Sequence, residues 1–346
     1  MRKIVIDLEG SDNGSEVLFD GVLKAAEQFP ELQFILASAD PEMLERKRTE
    51  YSVPIPADRF EVLKAEDVIH TDEPAMSIFK GRDNSSMAMA LDTLKENETA
   101  IGLLSAGNTG ALMVGSIFRL GLNEGLKTPA LSTCLPNTKG RMTVLVDCGA
   151  NINLEAKNLK DFALLGSDFA SRMFKINKPT VALLNVGREE GKGSPLYVEA
   201  YTLLNELGAN GEINFIGNAE GYDVISGYAD VIVCDGFAGN IILKLTEAVG
   251  KCALSLVEQK LSEQIRTSAT ANTIPTDAAN PLFDSGKPAL EANLTEIANK
   301  LKELFVFNER GGATFLGTKK PVIKMHGCAT SETVVSCVEQ LIRYYE

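Results

Sequence analysis

Short apolar runs rich in Val, Ile and Leu recur along the chain, separated by longer segments in which apolar positions return every three or four residues. The short runs predict strands at residues 3–8, 33–38, 60–64, 100–105, 130–134, 143–147, 180–185, 213–217, 229–234 and 322–325. Several are continuously apolar, which is the pattern of strands buried on both faces of a mainly parallel sheet. The longer segments predict helices, among them 16–29, 85–97, 158–174, 195–207 and 330–345. Alternation of this kind implies an α/β fold, a three-layer α/β/α sandwich with a mainly parallel sheet. No internal repeat is visible. A chain of 346 residues can hold one large core, and we expect a single α/β domain of two lobes over residues 1–346.

One segment breaks the pattern. Residues 267–288 are polar and contain three prolines, and are expected to form an exposed loop. Residues 289–305 follow with Leu290, Leu294, Ile297, Leu301, Leu304 and Phe305 at helical spacing. An amphipathic helix packed on the body or on a second subunit is the expectation there.

The polar turns after the expected strands carry the candidate chemistry. Residues 101–118 read as an apolar strand, a Ser-Ala-Gly-Asn-Thr-Gly turn and an apolar helix. Gly107 and Gly110 allow close backbone approach, and Ser105, Asn108 and Thr109 supply polar side chains at a helix start, with Thr109 as the expected N-cap. Unpaired N–H groups in the first turn of a helix suit an anion. Similar turns follow other strands: DLEGSDNG from Asp7, DCGAN from Asp147, NVGREEGKG from Asn185, NFIGNAE from Asn214, DGFAGN from Asp235, and RGGATFLG and KMHG near the end. Ligands in open α/β sheets bind at strand carboxyl ends, so these turns predict a single cleft lined by amides and small polar groups. Lys80 and Arg82 precede a helix start at Ser85 and Ser86, and basic groups in that position favour phosphate.

Composition narrows the chemistry. The formal charge of −13 argues against nonspecific nucleic-acid binding and against unaided binding to anionic lipid. The six cysteines form no CxxC pair, and with two histidines no zinc site is expected. They read as small core residues of a protein in the cytoplasm. The chain has no P-loop, no dinucleotide GxGxxG spacing and no GxSxG elbow. What remains are amides, Asn, Thr, Lys and Arg, groups suited to binding a small oxyanion and stabilising a developing one.

The motifs SAGNTGALM, DCGAN, NVGREEGKG, INFIGNAE, ADVIVCDGFAGN and GGATFLGTKKPVIKMHG occur in the order found in the PlsX-type phosphate acyltransferases, and the chain resembles that family from end to end. The resemblance implies a fold like the isocitrate/isopropylmalate dehydrogenases and phosphotransacetylases. It implies transfer of a fatty acyl group from acyl carrier protein to inorganic phosphate, giving acyl phosphate for phospholipid synthesis. It further implies a homodimer, peripheral membrane contact, and no metal or organic cofactor. The candidate catalytic residues are Asn108, Lys192, Asn240 and His326, the last for proton transfer to the leaving thiol. The candidate phosphate or substrate contacts are Asp12, Lys80, Arg82, Ser85, Ser86, Ser105, Gly107, Thr109, Gly110, Asn151, Asn185, Asn218, Asp235 and Gly239. An acidic carrier is expected to dock on Lys127, Lys139, Arg141, Lys319, Lys320 or Lys324. Near the amino terminus the chain departs from the family's DxMGGD pattern, with Glu9 for the apolar residue, Ser11 for the second Gly and Gly14-Ser15 after it. GSDNG also resembles the turn of the PlsX-like subunit of glycine reductase complexes, which releases acetyl phosphate. That subunit and a non-catalytic carrier-binding paralogue are the alternative readings.

Overall fold

The structure is a computed structural model that describes residues 1–79, 81–271 and 311–345, for residues 261–271 the backbone only. Among the described residues, eleven strands form one sheet: β1 (Arg2–Asp7), β2 (Leu32–Ser38), β3 (Phe60–Lys64), β4 (Ala100–Ser105), β5 (Ala130–Pro136), β6 (Met142–Val146), β7 (Thr180–Leu184), β8 (Asn214–Ala219), β9 (Val231–Val233), β10 (Ala313–Leu316) and β11 (Val322–Lys324). The helices are α1 (Ser15–Gln28), α2 (Pro41–Glu50), α3 (Ser86–Glu96), α4 (Thr109–Gly115), α5 (Ala156–Phe174), α6 (Pro195–Ala209), α7 (Asp223–Ser226), α8 (Gly236–Ala271) and α9 (Ser331–Tyr345). All ten expected strands are present. The eleventh, β10, lies inside the stretch RGGATFLG that the sequence suggested as a turn.

The strand order is β3-β2-β1-β4-β11-β10-β5-β6-β9-β7-β8. Strands β3, β2, β1, β4 and β11 run parallel to one another. β10 is antiparallel to both β11 and β5, and β5 is antiparallel to β6. β6, β9, β7 and β8 are again mutually parallel. The sheet is therefore mainly parallel, as expected, but its two parallel halves point in opposite directions. The strand-end turns consequently leave the sheet in two groups, at opposite ends of the strands, and not along one row as a single cleft requires. This corrects the single-cleft expectation.

Burial explains why these runs form strands. Ile4, Val5 and Ile6 of β1 and Leu103 and Leu104 of β4 have no solvent exposure. Ile4, Ile6 and Leu104 share a core with Leu18 and Val22 of α1 and Val334 and Leu341 of α9. In the other half, Val144, Val181 and Val231 pack against Leu159 and Phe162 of α5 and Leu204 of α6. The edge strand β3 is more exposed and carries Glu61 and Lys64, charges that discourage pairing with a further strand.

Two compact units are present, residues 1–240 with 308–346, and residues 241–307. Of the expected loop at 267–288, residues 267–271 are helical as the end of α8. The rest of that loop and the expected helix 289–305 lie outside the described residues. Among the described residues, no helix is long and apolar enough to cross a membrane.

Candidate functional site

The first group of turns is built on β1, β4 and β11. Asp7 ends β1 and is buried beneath the turns. Ser105 Oγ donates to Asp7 Oδ2 at 2.7 Å and accepts the Gly107 N–H at 3.1 Å. Ser86, at the start of α3, also hydrogen-bonds the Asp7 carboxyl, and the Glu9 N–H donates to it at 3.2 Å. Burial outweighs these bonds and pushes the Asp7 carboxyl up to about 6. The 7–14 and 105–110 turns touch at two glycines. A Cβ on Gly10, which has φ +78°, would lie 2.9 Å from the Gly107 Cα, so this contact admits no side chain.

The 326–329 turn completes the group. Asp12 N–H and Ser11 Oγ both donate to Gly327 O, at 2.8 and 3.0 Å. Asn13 Nδ2 donates to the Cys328 and Ala329 carbonyls. Lys324, at the end of β11, donates from Nζ to Ala106 O at 3.0 Å and to Met325 O. Its ammonium thus sits against the 105–110 turn, so Lys324 belongs to this group and not to an outlying docking surface. His326 is half-buried beside Cys328, with Nδ1 3.0 Å from the thiol sulfur.

Asn108, not Thr109, is the N-cap of α4: its Oδ1 accepts the Ala111 N–H at 2.9 Å. Its Nδ2 donates to the carbonyls of His70, Thr71 and Glu73. Both ends of the amide are engaged, so Asn108 holds the 70–73 loop onto α4 and is not presented to a reactant as a catalytic group. Thr109 and Gly110 open α4 directly behind it. Ser85 is buried and caps α3, accepting the Ala88 N–H at 3.4 Å.

Arg82 does not face an anion either. Its guanidinium binds Asp67 and Glu73, the latter at 2.6 Å, and also donates to Val68 O. These pairings hold both carboxylates below their usual range and the guanidinium above its own. Lys80 lies outside the described residues. Lys320 and Lys139 are not open docking cations. Lys320 Nζ donates to Leu94 O and Asn97 O at the end of α3, and Lys139 Nζ donates to Gly227 O at 2.7 Å.

The second group surrounds Asp147, just after β6. Its buried carboxylate accepts the backbone N–H groups of Leu131, Gly149, Ala150 and Asn151. Burial raises its pKa against those bonds. Asn151 also donates from Nδ2 to Asp147 Oδ2 and Pro129 O, and its Oδ1 accepts from Thr128. The start of α8 lies on this turn, with Gly236 N–H donating to Asn151 O at 2.7 Å. A Cβ on Gly239 would fall 1.9 Å from Asp147 O, so only glycine allows this approach. Asp235 takes the Tyr197 hydroxyl at 2.6 Å and the Ala238 N–H at 2.8 Å. Asn185 and Asn218 bond to each other and to the Lys192 and Glu189 carbonyls, clamping the 185–193 loop. Asn151, Asn185, Asn218 and Asp235 therefore shape their turns. The more accessible candidates are Asn240, exposed above Gly149, and Lys192, half-exposed with Glu189 Oε1 at 3.9 Å from its Nζ.

The structure thus gathers Asp12, Ser86, Ser105, Gly107, Thr109, Gly110 and His326 in one group, and Asn151, Asn185, Lys192, Asn218, Asp235, Gly239 and Asn240 in the other. Sequence reasoning did not name Asp7 or Asp147 as site residues. Each opens its motif, and a carboxylate immediately before a Gly-rich turn is the signal that marks an acceptor for the turn's N–H groups.

A family model described as "Fatty acid synthesis protein" matches residues 2–346. The chain is 33% identical over 342 residues to a phosphate acyltransferase of Clostridioides difficile, covering 99% of this chain and 92% of that one. It is 36% identical over 345 residues to a phosphate acyltransferase of Alkaliphilus oremlandii, covering 99% and 94%. Among solved structures, a phosphotransacetylase from Streptococcus pyogenes superposes with a TM-score of 0.60 at 16% identity, covering 99% of this chain and 94% of that one. The EutD phosphotransacetylase from Staphylococcus aureus superposes with a TM-score of 0.59 at 15% identity, covering 99% and 93%. These structures share the fold, which agrees with the phosphotransacetylase-like architecture implied by the sequence motifs. With the family model matched from residue 2 to residue 346 and a third of all positions shared with its named relatives, the chain belongs to the phosphate acyltransferase family.

Proposed function

We propose that this protein transfers an acyl group from a thioester to inorganic phosphate, releasing an acyl phosphate and a free thiol. The observation that carries this reading is the near end-to-end similarity to named phosphate acyltransferases. The donor is acyl carrier protein, and the acyl phosphate serves phospholipid synthesis.

The first group of turns supports this chemistry. Phosphate needs positive charge and N–H donors more than activation. Lys324 places positive charge beside the 105–110 turn, where the Ala106 and Met325 carbonyls hold its ammonium, and small residues leave the backbone there within reach of a ligand. The thioester carbonyl needs donors aimed at its tetrahedral oxyanion. Holding the two reactants in contact supplies much of the remaining rate. Lys192 and Asn240, the accessible polar side chains of the second group, are assigned to orienting the reactants, and His326 to protonating the leaving sulfur.

The test is a donor panel. Purified protein is given radiolabelled phosphate with palmitoyl-acyl carrier protein, palmitoyl-coenzyme A or acetyl-coenzyme A. Labelled acyl phosphate from the carrier-bound donor is the expected result. Acyl phosphate from the acetyl donor alone overturns the long-chain, carrier-bound assignment.

A further inference from the structure

The turn after β11 carries a thiol and an imidazole in direct contact. His326 Nδ1 lies 3.0 Å from Cys328 Sγ, and the Cys328 backbone N–H donates to the same Nδ1 at 3.3 Å. A backbone N–H can only donate, so Nδ1 presents its lone pair on this side. The thiol shares that acceptor with the backbone N–H, which puts a nucleophile in contact with its base. Both residues are half-buried.

The turn is fixed on its other side. Ser11 and Asp12 hold the Gly327 carbonyl, Asn13 holds the Cys328 and Ala329 carbonyls, and Ala329 N–H closes onto His326 O at 3.0 Å. The 11–13 segment, which includes the departure from the family's pattern at Ser11, thus clamps the thiol–imidazole turn. Preorganisation of this kind is what an attacking group needs. The other thiols of the first unit are differently placed. Cys148, Cys234 and Cys337 are buried, and burial pushes the Cys134 thiol up to about 12 and the Cys234 and Cys337 thiols up as well.

We propose that Cys328 is a nucleophilic thiol, with His326 as its base, that takes the acyl group from an acyl thioester and passes it to phosphate. This rests on the acyl-to-phosphate reading above. In the first step Sγ attacks the thioester carbonyl carbon and its proton passes to His326 Nδ1. A new C–S bond forms, the donor's C–S bond breaks, and the donor sulfur leaves with the electron pair and collects that proton. In the second step an oxygen of monohydrogen phosphate attacks the Cys328 thioester. The C–O bond forms, the C–S bond breaks, and the phosphate's proton returns through His326 to the Cys328 sulfur. No oxidant or reductant is involved.

The experiment is intact-protein mass spectrometry with peptide mapping on the full chain. The protein is incubated with octanoyl-acyl carrier protein or octanoyl-coenzyme A in phosphate-free buffer. The expected result is one octanoyl adduct, mapped to Cys328 and discharged as octanoyl phosphate when phosphate is added. Cys328→Ala should lose both the adduct and turnover. His326→Asn should slow adduct formation about 100-fold, the scale of general-base assistance, at an unchanged melting temperature. No adduct on the wild-type chain, or phosphate-dependent turnover retained in Cys328→Ala, overturns the proposal while leaving the overall reaction standing. An adduct on Cys328 that phosphate does not discharge also overturns the proposal, because a dead-end acyl thiol passes nothing to phosphate; the overall reaction is read separately, from acyl phosphate formed with the carrier-bound donor. The wild-type measurement decides the matter even if a variant fails to fold.

Discussion

Replacing Asp7 by Asn should change how stability depends on pH. The Asp7 carboxyl is enclosed beneath the 7–14 and 105–110 turns and is bonded by Ser105, Ser86 and the Glu9 N–H, with no basic side chain among the described residues bonded to it. Burial moves it from 3.8 to about 6 in the folded chain. The sign follows from linkage: the native state binds the proton more tightly, so this group's contribution is most favourable below pH 3.8 and is lost as pH rises to about 6. At roughly 1.36 kcal/mol per pH unit, the ionised carboxylate costs the native state about 3 kcal/mol at neutral pH. Between about pH 4.5 and about pH 7.5 the cost grows by about 2 kcal/mol. Asp7→Asn removes that dependence and keeps the shape. Any misfit of the amide is a constant offset. Melting temperatures of both proteins, measured across this interval, should therefore diverge in favour of the variant as pH rises. For a chain of this size the relative gain is roughly 3 °C. A wild-type-minus-variant difference that stays constant across the interval would refute the assignment of a buried, proton-binding carboxyl at Asp7.

Three further outcomes follow from the same geometry. Asn108→Ala removes the α4 cap and the three bonds to the 70–73 loop, and should cost about 3 kcal/mol in thermal or urea unfolding. Amide exchange over residues 66–79 should accelerate with it; unchanged protection would contradict the clamp. Lys320→Met removes two charge-assisted bonds at the end of α3, and should lower stability by about 2 kcal/mol while leaving acyl transfer intact. A selective rise in KM for acyl carrier protein would instead restore Lys320 to a docking role. Gly239→Ala should destabilise by about 3 kcal/mol, because its methyl group would overlap Asp147 O. The reverse sign, the usual gain of about 1 kcal/mol for alanine in a helix, would show that α8 does not lie on the 147–151 turn.

Much of the fold was legible because strands buried on both faces must be apolar throughout. β1, β4, β6 and β7 were placed to within a residue or so on that signal alone. β10 escaped because Ala313–Leu316 is four residues long and is flanked by Gly312 and Gly317, so it reads as part of a turn. The consequence was larger than one strand. β10 is the element that sits antiparallel between β11 and β5, and with the β5–β6 pairing it reverses the sheet and divides the strand-end turns into two groups. The helix α2 carries a readable start, with Asp40 as N-cap and Pro41 behind it, yet its weakly apolar face gave no strong periodicity.

At the candidate site, the turns were legible but the state of their side chains was not. Ser, Asn and Thr beside glycines mark a turn that a ligand can approach. The same groups also cap helices and tie down loops. Asn108 is saturated by carbonyls lying 35 to 38 residues away, and Arg82 is neutralised by Asp67 and Glu73, neither adjacent to it in sequence. Lys324 shows the converse. Its position in KKPVIKMHG suggested a surface charge, but strand pairing of β11 with β4 brings its ammonium to Ala106.

Acyl transfer to phosphate can be watched by phosphorus NMR of the purified protein with palmitoyl-acyl carrier protein and inorganic phosphate. An acyl phosphate resonance should grow as the thioester is consumed, in equal amounts and only when phosphate is present. Thioester that remains intact, or that is hydrolysed at the same rate without phosphate, would contradict it.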